Sequence, residues 1–343
     1  MLMIYGATGY TGGLAAGYAA AAGLDLVLGG RDGARLAGLA AGLGAPHRTF
    51  GLDPADVDAP NGPGAEGALD RALRDVTVLL NCAGPFARTA EPLMTAAIRG
   101  GIHYLDVAAE LDGYRLAEAL DGPARAAGVI LLPGSGGSVA MLGCLAGHTA
   151  QRVTDARRIR VALNIRGGVS RGSAVTAAGS VTADCLERVD GELAGRDPDE
   201  VREFDFGDGP LACSPVTLPD LMTIWRATGA PNIETFVHAS PEAFPGGDLS
   251  SLPDGPTADQ RRADRYQAAA EVEGADGAVA RSVLETVNGY TFTPMAAVEA
   301  ARRVLAGEAR PGWQTPAGLF GNGFAETIAD TCIVDTRIVE RSP

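Results

Sequence analysis

Through residue 137 the apolar positions fall into short aliphatic runs separated by stretches of helical texture. "LMIYGA" (2–7), "LDLVLGG" (24–30), "HRTFGLD" (47–53), "VTVLLNCAGPF" (76–86), "IHYLDVAAE" (102–110) and "VILLPGSGG" (129–137) predict strands. Between them, "GGLAAGYAAAAG" (12–23), "GARLAGLAAGLG" (33–44), "ALDRALRD" (68–75), "EPLMTAAIRGG" (91–101) and "YRLAEALDGPARAAG" (114–128) predict helices, most of them stopped by glycine. The Gly/Pro/Asp-rich stretch 54–66 reads as a surface loop. Apolar strands alternating with helices are the pattern of a doubly wound parallel sheet covered on both faces.

Beyond residue 137 the periodicity changes. "SVAMLGCLAGHTAQRV" (138–153) predicts a helix, and "RRIRVALNIRG" (157–167) alternates with period two, as a half-buried strand does. "AAAEVEG" and "AVARSVLETVNG" flank "ADG" as an antiparallel hairpin, and "PMAAVEAARRVLAG" (294–307) is an amphipathic helix ending at Gly307. The expected architecture is α/β. A Rossmann domain with a doubly wound parallel sheet spans 1–137, and an α+β substrate lobe with a mixed or antiparallel sheet spans 138–290. A C-terminal helix and loop, 291–343, pack back on the first domain.

The first crossover carries "YGATGYTGG" (5–13). Glycine fills 47 of 343 positions, so three glycines at this spacing arise about once by chance in such a chain. Placement between a strand and a helix inside a βαβ unit is what makes them a dinucleotide loop. Gly6 permits the tight turn, Gly9 lets backbone approach a pyrophosphate, and Gly12 allows close packing of helix on sheet. Thr8, Tyr10 and Thr11 are the loop side chains placed to touch the cofactor. The second strand ends "GGRD", with Arg31 where NAD-binding domains carry an acid for the ribose hydroxyls. A guanidinium there suits a 2′-phosphate, so NADP(H) is expected, with Arg35 as a second contact. Asp32 keeps NAD(H) as the alternative. Cys82, Ala83, Gly84, Pro85 and Phe86 follow the fourth strand at the sheet's carboxyl end and are expected to meet the cofactor, as is Ser135 in the glycine turn after the last strand.

Composition narrows the function. A formal charge of −14 argues against nucleic acid or an anionic membrane surface as the main partner. No run of about twenty apolar residues is present and no basic segment precedes the first strand, so no membrane span and a cytoplasmic protein are expected. Five scattered cysteines and four histidines lack metal-ligand spacing, so no metal is expected. The chain contains no lysine, which excludes a Walker lysine, a Schiff base and the Tyr-x-x-x-Lys pair of short-chain dehydrogenases.

In order, "GATGYTG", "GGRD", "LLNCAGPFARTAEPLMTAAIRGGIHYLDVAAE" and "LLPGSGGSVAMLG" resemble the saccharopine dehydrogenase-like oxidoreductases, a family that includes trans-acting enoyl reductases. The carrying residues are Asn81, Cys82, Gly84, Pro85, His103, Tyr104, Asp106 and Glu110. "SRGSAVTA" (170–177), with Ser173 at the family's threonine position, and "GYTFTPMAAVEAARRVLAGEARPGWQTPAGLFG" (289–321) extend the likeness. The resemblance implies hydride transfer between NADP(H) and a small organic substrate in an interlobe cleft, and a homodimer formed through the second lobe's sheet. "PGSGGSVA" lacks the family's Cys, Phe and Asp-Ser pair, and the acid–base lysine of lysine-forming members has no counterpart, so saccharopine itself is not the expected substrate.

Candidates for catalysis are Asp106 and Glu110 after the fifth strand, Arg171 as an anion contact, and Tyr290 bordering the cleft with Thr293; capping, hydrogen-bonding or packing roles explain each of them too. Two other readings stay open. An acyl-phosphate or semialdehyde-type reductase shares the loop but needs a nucleophilic cysteine where Ser135 stands. A regulator binding NADP(H) without chemistry needs only the first domain.

Overall fold

The computed structural model describes residues 1–52, 67–174, 185–240 and 252–339. The expected loop at 54–66 lies outside them, as do residues 175–177 of the Ser-Arg-Gly segment. The chain divides into two compact units, residues 1–136 with 293–314, and residues 137–292 with 315–343.

In the first unit, β1 (Leu2–Tyr5), β2 (Leu26–Gly30), β3 (His47–Thr49), β4 (Val78–Asn81), β5 (His103–Asp106) and β6 (Ile130–Leu132) pair in parallel in the order β6-β5-β4-β1-β2-β3. A further strand, Gly312–Trp313, pairs with β6 at the far edge. Residues of β1, β2, β4 and β6 are buried without interruption, which is why these strands read as continuous apolar runs rather than alternating ones. Strand order reverses at β1, whose neighbours are β2 and β4, so the crevice at the carboxyl ends of β1 and β4 is the switch point where such sheets bind ligands.

Helices α1 (Tyr10–Ala21) and α2 (Gly33–Leu43) match expectation closely. The helix expected from residue 91 begins earlier, at Phe86, and runs to Gly100. Pro92 sits inside it and forgoes one backbone bond. The single helix expected over 114–128 is two, Leu111–Ala119 and Asp121–Ala126, because Pro123 in the first turn of the second restarts the helix.

Among the described residues the second unit is built on a mixed nine-stranded sheet. The strand Ala156–Ile165 lies parallel to Asn232–Ala239 and antiparallel to Arg265–Gly274. The expected hairpin is present: Arg265–Gly274 and Val279–Val287 pair from Arg265↔Val287 to Glu273↔Val279, and Gly277 at φ 77° makes the turn. Helix Gly137–Ala150 packs across strands 156–165, 265–274 and 279–287. It is buried almost all round, as its uniformly apolar sequence requires.

Candidate functional site at the carboxyl end of the parallel sheet

The chain leaves β1 at Tyr5 and turns at Gly6, whose φ of 79° strains any residue with a Cβ. The Gly6 N–H donates to Gly29 O at 2.9 Å, and the Gly9 N–H returns to Gly6 O at 2.9 Å, closing the turn. A Cβ on Gly6 would lie 2.8 Å from the backbone nitrogen of Ala83, so the loops after β1 and β4 touch backbone to backbone. A Cβ on Gly12 would lie 2.2 Å from Gly6 O. Exposed Gly9 precedes α1 and supplies no side-chain cap. The first N–H groups of a helix lack intrahelical acceptors, and with the helix dipole they form an anion site. Thr8, Tyr10 and Thr11 are half-buried around this turn.

Arg31 follows β2, is exposed, and makes no hydrogen bond or ion pair among the described residues. Asp32 caps α2, its side chain accepting the Arg35 N–H at 3.1 Å, and the Arg35 guanidinium donates to Thr8 O at 3.0 Å. Arg35 thus ties the start of α2 to the glycine loop.

A buried polar network lies beneath the loop 82–85. The Asn81 Nδ2 donates to Thr89 Oγ1 at 3.0 Å and to Tyr104 Oη at 3.1 Å, while its Oδ1 accepts the Ala83 N–H at 2.9 Å. Thr89 donates to Ala83 O at 2.7 Å. The Tyr104 hydroxyl donates to Asp106 Oδ2 at 2.9 Å, and Asp106 Oδ1 accepts the N–H groups of Ala108 at 2.9 Å and Gly134 at 2.8 Å. Ser135 is buried, donating its hydroxyl to Asp106 O at 2.7 Å. Three loops are therefore held by one chain of hydrogen bonds running from Asn81 to Asp106. The Gly84–Pro85 bond is cis, Gly84 and Pro85 are exposed, and Phe86 starts the following helix half-buried.

Burial pushes the Asp106 carboxyl up to about 6 against the pull of its three donors. It also pushes the half-buried Cys82 thiol up to about 12, helped by the Asp106 charge, so this cysteine is not a thiolate nucleophile. His103 is held below its usual range by burial and accepts the Ile130 N–H at 3.2 Å, a structural histidine. Asp106 titrates higher in the folded than in the unfolded chain, so the folded state binds the extra proton and stability falls as pH rises through 4 to 6. Against Asp106→Asn, wild type is expected to lose about 2 kcal/mol of relative stability between pH 4.5 and 7.5, read by urea unfolding. A flat difference would show that Asp106 does not hold the raised value.

Glu110 is half-buried, and its carboxylate accepts the Ala109 N–H at 3.0 Å. Arg171 and Tyr290 belong to the second unit. Arg171 is exposed and paired with Asp254, and the Tyr290 hydroxyl accepts the Ser170 N–H at 2.7 Å and donates to Ser173 Oγ at 2.7 Å. The structure brings together Gly6, Gly9, Gly12, Ala83, Asp106 and Ser135 within the first unit, with Arg31 just after β2 and Arg35 in the first turn of α2. Thr89 carries no sequence signal as a partner of this site. Asn81 and Asp106, both singled out in the sequence, are directly opposed at the ends of β4 and β5, and that pairing could have been found from the polar residues closing two apolar strands. Among the described residues no group of His, Cys, Asp and Glu is arranged to hold a metal, and no helix is long and apolar enough to cross a membrane.

Residues 2–132 match the saccharopine dehydrogenase NADP binding domain. A trans-acting enoyl reductase of Mycobacterium tuberculosis is 32% identical over 112 residues, which is 32% of this chain and 25% of the relative. The trans-acting enoyl reductase of Mycobacterium leprae is similar to the same extent, 32% over 112 residues with the same coverage. The chain thus matches a quarter of the length of these curated relatives. The apo saccharopine dehydrogenase (L-Glu forming) of Saccharomyces cerevisiae superposes with a TM-score of 0.64 at 12% identity, covering 98% of this chain and 99% of that one, a likeness of fold.

Proposed function

With residues 2–132 a saccharopine dehydrogenase NADP binding domain, we propose that this chain is an NADP(H)-dependent oxidoreductase transferring a hydride to or from a small organic substrate at a C=N, C=O or activated C=C bond. The observation that carries the reading is the glycine turn seated against Ala83 at the switch point, opening on a helix N-terminus, with Arg31 exposed on the adjoining loop. These residues fit a dinucleotide. Gly9 and the first turn of α1 hold the pyrophosphate, Arg31 the 2′-phosphate, and the backbone of 83–85 borders the ring-bearing half. When bound, the cofactor supplies the hydride. Asp106, enclosed by three donors, positions the loops after β5 and β6 rather than trading protons. Glu110 is the more accessible carboxylate on that side and is the candidate proton carrier of the first unit.

The two named mycobacterial relatives make an activated C=C bond the first substrate class to try. The raised Cys82 thiol and the hydrogen-bonded Ser135 speak against an acyl-enzyme route. The test is NADPH oxidation against enoyl thioesters, 2-oxo acids and imines; tight NADPH binding with no oxidation across all three would favour the regulator. For the cofactor, Arg31→Ala is expected to weaken NADPH binding by about tenfold or more while leaving NADH within about twofold, since one charge-assisted contact is lost. Fluorescence titration with both nucleotides reads this, and an unchanged preference would remove Arg31 from the site.

A further inference from the structure

The hydrogen bonds around Tyr104 have a fixed direction. A backbone N–H can only donate, so Asn81 turns its Oδ1 to the Ala83 N–H at 2.9 Å. That leaves the Asn81 Nδ2 group to donate to Thr89 Oγ1 at 3.0 Å and to Tyr104 Oη at 3.1 Å. Thr89 gives its own proton to Ala83 O at 2.7 Å, so Ala83 is held at both its N–H and its carbonyl. Tyr104 in turn gives its proton to Asp106 Oδ2 at 2.9 Å. Asp106 Oδ1 takes the Ala108 and Gly134 N–H groups, at 2.9 and 2.8 Å. The donors from Ala83 through Asn81 and Tyr104 therefore run one way, toward a carboxylate that ends the chain.

One proton on Asp106 upsets this order. A carboxylate oxygen offers two lone pairs, and those of Oδ1 already receive two backbone donors, so the proton settles on Oδ2, where it meets the Tyr104 O–H. The Tyr104 hydroxyl must turn, and its other partner, the Asn81 Nδ2 group, is a donor that cannot take its proton. Asn81, Tyr104 and Asp106 are fully buried, so the change is felt along the chain rather than absorbed by water. The disturbed Asn81 amide is the group that holds Ala83, and Ala83 is the residue against which Gly6 is seated. The other titratable groups around Asp106 leave this path intact. Cys82, after β4, is a neutral thiol pushed up to about 12. Glu110, after β5, carries a charge that favours the proton on Asp106. Tyr114, in the helix Leu111–Ala119, donates to Ala108 O at 2.7 Å.

We propose that Tyr104 is a positioning residue that carries the protonation state of Asp106 to the Ala83 backbone. The loop after β4 is then ordered when Asp106 is charged and loosened when it is protonated. The inference rests on the NADP(H) reading only for the ligand whose binding that loop tunes. Burial sets the Asp106 midpoint at about 6, so NADPH affinity falls as pH falls through that value. The test is a pH titration of the full chain by NMR. In wild type the Ala83, Ala108 and Gly134 N–H signals are expected to shift together, at the midpoint of the Asp106 carboxyl carbon. In Tyr104→Phe, Ala108 and Gly134 still shift, while the Ala83 shift falls to under about a third of its wild-type size. NADPH binding is expected to weaken about fivefold more in wild type than in Tyr104→Phe between about pH 7.5 and pH 5, a comparison that cancels the titration of the nucleotide's own phosphate. An Ala83 shift that is absent in wild type, has another midpoint, or survives intact in Tyr104→Phe overturns the relay, and the wild-type midpoints alone decide it if Tyr104→Phe does not fold. Equal pH dependence of NADPH binding in the two proteins overturns the coupling to the cofactor. If Ala83 follows Asp106 through Tyr104 but NADPH binds at no pH, the cofactor reading fails and the relay stands.

Discussion

Gly12→Ala is expected to weaken NADPH binding by about a hundredfold, the loss of two charge-assisted phosphate contacts. The added Cβ would lie 2.2 Å from Gly6 O and 2.8 Å from Gly6 C, both backbone atoms that no side-chain rotation can move. Either α1 retreats from the sheet or the turn at Gly6 opens, and both displace the N–H groups proposed to meet the phosphates. Overpacking of this kind also costs about 1–3 kcal/mol of stability, visible in the urea midpoint. Gly13→Ala is the internal control, because its Cβ would meet Ala7 O at an ordinary 3.5 Å. Fluorescence titration of both variants decides the matter: wild-type affinity in Gly12→Ala, or equal losses in the two, would show that the loop does not hold the nucleotide.

Asn81→Ala should be the most destabilising polar truncation in the first unit, at about 3 kcal/mol. Asn81 is fully buried and neutral, so its removal brings no relief from a buried charge to offset the loss. Thr89 and Tyr104 lose a donor, and the Ala83 N–H loses its acceptor. Ala83 is the residue against which Gly6 is seated, so NADPH affinity is expected to fall together with the urea midpoint. A stability loss under about 1 kcal/mol would mean that the network merely decorates the loop.

Fold and site were unequally legible in the sequence. The strands of the first unit are buried on both faces and announce themselves as apolar runs, and the glycine loop is legible because each glycine answers a different backbone demand. The second unit was harder, since its sheet buries charge. Glu234 accepts from Arg158 at 2.9 Å and Arg160 at 3.0 Å, and Glu271 accepts from Arg160 at 2.9 Å and Arg202 at 2.7 Å. Period-two reading of "RRIRVALNIRG" assigns those arginines to solvent, whereas the Arg160 side chain is only 16% exposed. Short strands of mixed polarity, such as Leu186–Val189 and Glu192–Gly195, gave no usable period. The Asn81–Asp106 network escaped because two of its partners, Thr89 and the Gly134 N–H, are 8 and 28 residues away from the side chains they bond. Nothing local encodes such pairings.

The strand Gly312–Trp313 finishes the first unit's sheet from far along the chain. On the ribosome, the edge of β6 emerges almost two hundred residues before its partner, and the whole intervening stretch 137–292 is made in the meantime. An apolar, unpaired edge is an invitation to foreign strands during that interval. Trp313, fully buried in place, closes that edge only when it is made.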